Sequence, residues 1–194
     1  MSIKAQRRIG LVVLAGGRGT RFGGGKLAAE LAGMPVIAHV AAATAGLAMA
    51  QRVIVAAADV PDLPGFTRLA LDPPGAPQSA SLALGIGALQ GVDAALIALA
   101  DMPLVPPDHF AALLAAFDGD RLASRCGDQP MPPALVGAHH FPALQALQGD
   151  RGAGALLHDA PFVPLAPEHA LDVDRPEDLA RAEAWLWQST AKPL

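Results

Sequence analysis

The chain has no tyrosine, a single cysteine and two tryptophans, and aromatic residues make up only 4% of it. One cysteine excludes an internal disulfide and any zinc site built from cysteine pairs. Cys126 reads instead as a small, half-buried residue. Lysine is almost as scarce: of 14 basic residues only Lys4, Lys26 and Lys192 are lysines. A formal net charge of −4, with no basic cluster beyond Arg7-Arg8, argues against a face for nucleic acid. Long apolar runs are missing too. Met1–Arg8 is polar, and the apolar stretch after it breaks into glycines far short of the roughly 20 residues a membrane span needs. The pattern is that of neither a signal peptide nor a span, and the cytoplasm is the expected location.

What is present suits a packed domain. The chain has 194 residues, about half of them apolar, enough for one full hydrophobic core. Ile9–Ala15 predicts a buried strand, since a continuous Val/Leu-rich run leaves no solvent face. Met34–Thr44 predicts a helix with Pro35 in its first turn. Further strands are expected at Arg52–Ala57, Arg68–Asp72, Ala94–Ala100, Leu122–Arg125, Ala134–Val136 and Ala170–Val173. Helices are expected at Ser79–Leu89, Pro107–Phe117, Phe141–Leu147, Gly152–Leu157 and from Pro176 to about Gln188. Strands separated by helices imply a mainly parallel sheet covered on both faces, an α/β, Rossmann-like three-layer sandwich. No repeat or long linker divides residues 1–194, so a single domain is expected.

Ligands of such sheets bind outside the carboxyl ends of the strands. The residues that follow the expected strands there are Gly16–Lys26, Asp72–Ser81, Asp101–Pro103 and Asp174, and each stretch is chemically unusual. Residues 16–26 hold six glycines, two arginines, a threonine and the one internal lysine. Two familiar phosphate loops fail here. The Walker pattern needs glycine where Thr20 stands and Ser or Thr where Leu27 stands, and the dinucleotide fingerprint needs glycine at Phe22. The underlying physics survives: glycines let backbone N–H groups converge on an anion, and cationic side chains neutralise it. A phosphate-rich ligand is expected, the alternative being a solvated surface turn.

These residues carry a resemblance. Leu14-Ala15-Gly16-Gly17-Arg18-Gly19-Thr20-Arg21-Phe22-Gly23, followed by Lys26, resembles the L-A-[AG]-G-x-x-x-R-[MF]-G-x-x-K loop of sugar-phosphate and cofactor nucleotidyltransferases. Ala100-Asp101-Met102-Pro103-Leu104-Val105 is similar to that family's D-M-P segment. Leu171-Asp172-Val173-Asp174-Arg175-Pro176-Glu177-Asp178-Leu179 is similar to its D-[IV]-D-T-P-E-D-L ending. Gln148-Gly149-Asp150-Arg151-Gly152-Ala153 resembles the G-D-[RK]-G-A stretch of the molybdenum cofactor nucleotidyltransferases. Four motifs in the expected order span nearly the whole chain.

The resemblance implies a nucleotide-diphospho-sugar-transferase type of fold. It also implies attack by an acceptor phosphate on the α-phosphorus of a nucleoside triphosphate, with loss of pyrophosphate. Two anions meet in that reaction, so charge neutralisation and in-line positioning are the main tasks. By resemblance, Leu14, Ala15, Gly16, Gly17 and Gly19 form the nucleotide cradle, and Arg21 and Lys26 meet the β- and γ-phosphates. Asp101 and Asp174 are the matched Mg²⁺ ligands, with Asp172 as the alternative. Gln78 and Ser81 are the expected base and ribose contacts, Gln78 through an amide that both donates and accepts. Arg21, Lys26 and Asp101 are the expected catalytic residues. The expected acceptor is a molybdopterin-type cofactor, and a molybdoenzyme or its chaperone is a possible recipient.

Two cues conflict over the base. Ala15-Gly16-Gly17 leans toward guanylyl transfer, whereas the Asp101-Met102-Pro103-Leu104-Val105 and Gly149–Gly152 stretches look more like the cytidylyl branch. The larger set of matches favours CTP slightly over GTP. A sugar phosphate is the alternative acceptor, and a nucleotide-binding regulatory domain without turnover the alternative class. The family's Gly-His-Pro is replaced by Asp128-Gln129-Pro130, and its usual Thr after the last Asp by Arg175. As structural alternatives, Asp101 caps the turn before Pro103, and Ser79 and Asp174 cap the helices that follow them. Of six histidines only His139-His140 are adjacent, and neighbours in a strand or helix point different ways, so the pair reads as a poor chelate. Trp185 and Trp187 cannot share one helix face, and one of them is a candidate for an oligomer contact.

Overall fold

Strand β1, Ile9–Ala15, has all seven residues buried, as a central strand of a doubly covered sheet must. The computed structural model describes residues 7–17, 21–73 and 75–190. After β1 come a small hairpin, β2 (Glu30–Leu31) and β3 (Met34–Pro35), then helix α1 (Val36–Thr44) and strand β4 (Gln51–Ala56). The chain continues through β5 (Thr67–Ala70), α2 (Gln78–Ala88), β6 (Ala94–Leu99) and α3 (Pro107–Ala116). Strands β7 (Arg121–Cys126) and β8 (Gln129–Gly137) form a hairpin, followed by a 3-10 turn over Ala138–His140. Short helices α4 (Phe141–Gln145) and α5 (Gly154–Leu157), strand β9 (Phe162–Pro164) and helix α6 (Pro176–Thr190) complete it.

The seven main strands lie in the order β5-β4-β1-β6-β8-β7-β9. All run parallel except β8, which is antiparallel to both neighbours. Alternate residues of β1 feed two cores. Leu11 and Val13 pack with Ile37 of α1, Phe110 and Leu113 of α3 and Ala182 of α6. Val12 and Leu14 pack with Leu82 and Ile86 of α2, Leu144 of α4 and Leu157 of α5. This is the three-layer α/β sandwich that strand–helix alternation predicts. Helix α2 packs tightly on β1 at Gly85, where a β-carbon would overlap Val12. The strand order reverses at β1: the chain leaves it for β4 and β5 on one side and returns to β6 on the other. Such a switch point opens a crevice at the strand ends, here above Gly16 and Asp101.

The differences from expectation are local. Ala170–Val173 is not a strand. Residues 167–170 coil, with the Ala170 N–H bonded to Ala166 O, and the free edge of β7 is taken by Phe162–Pro164 instead. The 170–174 segment still meets the turn after β6, where Val173 N–H bonds Asp101 O at 2.9 Å. Pro35 precedes α1 as its N-cap and pairs in the hairpin with Glu30, because Ala32 and Gly33 turn through positive φ. The strand expected at Ala134–Val136 runs from Gln129, since the Gly127-Asp128 turn pairs Cys126 with Gln129. Trp185 packs against the core with His169 edge-on at 5.0 Å, whereas Trp187 is 66% exposed. Among the described residues, no helix is long and apolar enough to cross a membrane.

Candidate nucleotide site

A cavity of about 530 Å³ opens where β1 and β6 end. Of the residues expected to hold the nucleotide, Leu14, Gly16, Gly17, Gln78, Ser81 and Asp101 line it. Ala15 is the buried last residue of β1, and Gly19 lies outside the described residues. The wall also includes Leu99, Gly75, Ala76, Asp150 and Asp172. Leu99 had no signal in the sequence beyond its place at a strand end. Asp150 belongs to the Gly149–Gly152 stretch and carries no expected site role. The fold explains its presence: the Ser79 N–H at the start of α2 is bonded to Gly149 O, and a β-carbon on Gly152 would sit 2.9 Å from Gln78 Oε1.

Close approach requires glycine at position 16. A β-carbon there would stand 2.6 Å from Ser81 Oγ and 2.7 Å from Leu71 Cδ2. The backbone after β1 can therefore pass directly over the first turn of α2. Gly23, Gly24 and Gly25 then take φ values of +90°, +96° and +67°, a left-handed run that side chains resist. It delivers Lys26 inward, where the residue is only 6% exposed.

Lys26 Nζ bonds Asp101 Oδ2 at 2.7 Å and Asp174 Oδ1 at 2.9 Å. Arg21 Nη1 reaches the other oxygen of Asp174 at 3.5 Å. Glycine loop, β6 terminus and the approach to α6 thus converge on one ammonium. Burial works against the Lys26 charge, but Asp101 and Asp174 outweigh it and hold the amine above the ordinary lysine value. The Lys26 hydrogen bond, with the charges of Lys26, Arg21 and Arg175, keeps Asp174 below the ordinary carboxylate range against its burial. Asp172 opens into the same cavity. Protein crowding around it, and then the Asp101 and Asp174 charges, push its carboxyl up to about 7.

The capping readings do not hold. Helix α2 begins at Gln78 with Pro77 before it, so Ser79 lies inside the first turn. Helix α3 begins at Pro107, away from Asp101. Before α6, Asp178 accepts the N–H of Arg175 at 3.0 Å and of Asp174 at 3.3 Å, which makes Arg175 the capped position. Both Asp101 and Asp174 are thereby free for the lysine. The arrangement can neutralise polyanionic phosphates with Lys26 and Arg21, and can hold a hard cation between carboxylates.

Residues 11–166 match the MobA-like NTP transferase domain. The molybdenum cofactor guanylyltransferase of Rhodobacter capsulatus is 33% identical over 195 residues, covering 94% of this chain and 98% of that one. Among solved structures, Rv0371c of Mycobacterium tuberculosis superposes with a TM-score of 0.80 at 20% identity, over 93% of this chain and all of that one. The same protein in complex with manganese gives 0.75 at 21%, with the same coverage. Molybdopterin-guanine dinucleotide biosynthesis protein A of Archaeoglobus fulgidus gives 0.64 at 22%, over 92% and 99%. Cavity, glycine loop and these likenesses agree: the chain is a nucleotidyltransferase and belongs to the MobA-like NTP transferase family.

Proposed function

We propose that the chain transfers GMP from GTP to the terminal phosphate of a molybdopterin-type acceptor, releasing pyrophosphate. The observation that carries this reading is the 33% identity, over nearly the full length of both chains, to a molybdenum cofactor guanylyltransferase. It tips the balance that the sequence cues left slightly toward CTP. Gly16 and Gly17 form the floor under the nucleotide phosphates, and Gln78 and Ser81 face base and ribose from the first turn of α2. Lys26 and Arg21 neutralise the β- and γ-phosphates and the departing pyrophosphate. Asp150 closes the cavity beside Gln78.

A divalent cation fits this site. Oxygens of Asp101 and Asp174, from separate loops, already share one positive charge, the Lys26 ammonium. Two carboxylates contact the one buried ammonium, and Asp172 lines the cavity beside them, a poor setting for a triphosphate without further positive charge. Hard carboxylate oxygens suit Mg²⁺ or Mn²⁺, and the neighbour solved with manganese agrees with that class. We assign Mg²⁺ to Asp101 and Asp174. When bound, it supplies charge neutralisation at the phosphates. With a cation held between Asp101 and Asp174, the Lys26 ammonium would be free to face the nucleotide phosphates.

Cytidylyl transfer is the second reading, favoured by the Asp101–Val105 and Gly149–Gly152 stretches. Thermal stability with GTP, CTP, ATP and UTP, with and without Mg²⁺, separates the two. At about 100 times its dissociation constant a ligand adds roughly 2.7 kcal/mol. Stabilisation by GTP, followed by pyrophosphate release only when molybdopterin is added, is the expected result. Stabilisation by CTP alone moves the chain to the cytidylyl branch. Tight binding of a triphosphate with turnover on neither molybdopterin nor a sugar phosphate refutes the transferase reading, and turnover on a sugar phosphate alone changes the acceptor.

A further inference from the structure

At the opposite end of the sheet, the β7–β8 hairpin brings together three side chains that the nucleotide site does not use. Strand β8 ends at Gly137, paired with Ala94 at the start of β6. Asp101 lies seven residues further along that chain, roughly 20 Å away at 3.3 Å per residue. After Gly137 the 3-10 turn carries His139 and His140. The tight turn defeats the expectation that adjacent side chains diverge. Their ring centroids are 4.1 Å apart, and both Nε2 atoms face the same oxygen, Asp120 Oδ1, at 3.1 and 2.6 Å.

We propose that Asp120, His139 and His140 bind a divalent transition-metal ion of the Zn²⁺ class. One ligand atom from each lies within 4.8 Å of the other two. Tetrahedral Zn²⁺ with bonds of 2.0–2.1 Å needs its ligand atoms about 3.3 Å apart, so small side-chain shifts suffice. Two imidazole nitrogens with one carboxylate oxygen favour Zn²⁺, Co²⁺ or Ni²⁺ over Mg²⁺. Arg121 does not compete for the shared oxygen, because its Nε faces Oδ2 at 3.4 Å.

The ligands stand on a fixed base. Gly137 N–H bonds Asp120 O at 2.7 Å, Ala138 N–H bonds Asp93 O at 2.9 Å, and Asp118 Oδ1 accepts the Asp120 N–H at 2.9 Å. Gly137 has no room for a side chain: a β-carbon would overlap Gly119 O and stand 2.8 Å from the His139 ring. His139 is open to solvent and His140 largely covered, which gives an ion entry and leaves a coordination position for water. Three protein ligands plus water would tie the end of β8 to the start of β7. This inference is independent of the proposed nucleotidyl transfer.

The test is Zn²⁺ titration of the full chain, stripped with EDTA and held in excess Mg²⁺ to occupy the carboxylate site. Competition with a chromophoric chelator and the melting temperature are both followed. One Zn²⁺ per chain is expected, with a raised melting temperature and, on substitution by Co²⁺, the visible bands of tetrahedral coordination. His139→Ala and His140→Ala each weaken binding by more than about tenfold and abolish the thermal shift and the bands. If either alanine variant misfolds by circular dichroism, His139→Gln and His140→Gln replace them. Equal Zn²⁺ affinity in wild type and variants overturns the proposal, as does wild-type binding only near millimolar Zn²⁺.

Discussion

The two ends of this one sheet differ in what their connections can hold. At the carboxyl ends, long links follow the strands: residues 16–29 after β1, 71–77 after β5 and 100–106 after β6. They enclose a cavity and gather carboxylates around one ammonium. At the amino ends the links are tighter, 89–93 before β6 and 117–120 before β7. There the side chains that meet are imidazoles and a single carboxylate. Strands β6 and β8 serve both ends, so the sheet sets position while link length and donor type set the chemistry. Hard oxygens above suit Mg²⁺ with phosphates, and nitrogens below suit a softer ion.

The strongest way to break this comparison is to disable each end separately. Lys26→Ala is expected to lower kcat by about 100- to 1,000-fold, the scale for losing one preorganised donor at developing charge. Zn²⁺ binding stays within about twofold of wild type. Conversely, His140→Ala weakens Zn²⁺ binding by more than about tenfold and leaves turnover unchanged within about twofold. Steady-state kinetics and chelator competition on both variants are the checks. If either substitution disturbs both readouts, the two ends are coupled through β6 and β8.

A second contrast concerns the carboxylates. Asp174 accepts from both Lys26 and Arg21, so Asp174→Asn removes an oxygen of the proposed cation site and loosens both basic side chains together. The Mg²⁺ concentration for half-maximal activity is expected to rise by about tenfold, on the scale of losing a weak oxygen ligand. An unchanged Mg²⁺ requirement would move the metal toward Asp172, whose carboxyl opens into the same cavity.

Much of this was legible in the residues. Strand–helix alternation predicts the layers, and the strand-end rule places Gly16, Gln78, Ser81 and Asp101 around one cavity, as found. Two features were hidden for physical reasons. The pairing of Lys26 with both Asp101 and Asp174 depends on three consecutive left-handed glycines, which composition suggests but whose direction it does not specify. The meeting of His139 and His140 over Asp120 depends on a 3-10 turn just after a strand, where neither helical nor strand periodicity applies. The final strand is not legible in the sequence: Ala170–Val173 is apolar enough for a strand, but the β7 edge takes the short, proline-flanked Phe162–Pro164 segment.

Two glycines sharpen the boundary between site and core. Both Gly16→Ala and Gly85→Ala force a methyl into close contact, costing about 1–3 kcal/mol each by overpacking. At roughly 2–4 °C per kcal/mol for a chain of this size, calorimetry should resolve either loss. Gly85 meets Val12 inside the core, so its substitution lowers the melting temperature with KM unchanged. Gly16 meets Ser81 at the cavity wall, so its substitution also raises KM for the triphosphate. Adding Ser81→Ala removes the 2.6 Å clash but not the one with Leu71, so the double variant recovers only part of the lost stability. Equal KM effects at both glycines would mean that the cavity wall is no more sensitive than the core.

The smallest expected effect separates the His139–His140 pair from the buried His109. His109 of α3 is 7% exposed, with Nε2 2.7 Å from Ser124 Oγ. Ser124 gives its own proton to Pro133 O at 2.6 Å, so its oxygen accepts from His109, which fixes the neutral ring with Nε2 protonated. Burial, and then the charge of His169, lower the His109 pKa below its ordinary 6.5. Below pH 6.5 the unfolded chain takes up a proton that the folded chain refuses until its lower pKa is reached. Stability is therefore complete above about pH 6.5 and falls as the pH drops toward the folded value, by at most about 1.4 kcal/mol per unit from this group. His109→Asn should flatten that limb of a urea-denaturation pH series from 6.5 to 5 while leaving Zn²⁺ affinity untouched. A limb that stays equally steep in the variant would assign the acid sensitivity to groups other than His109.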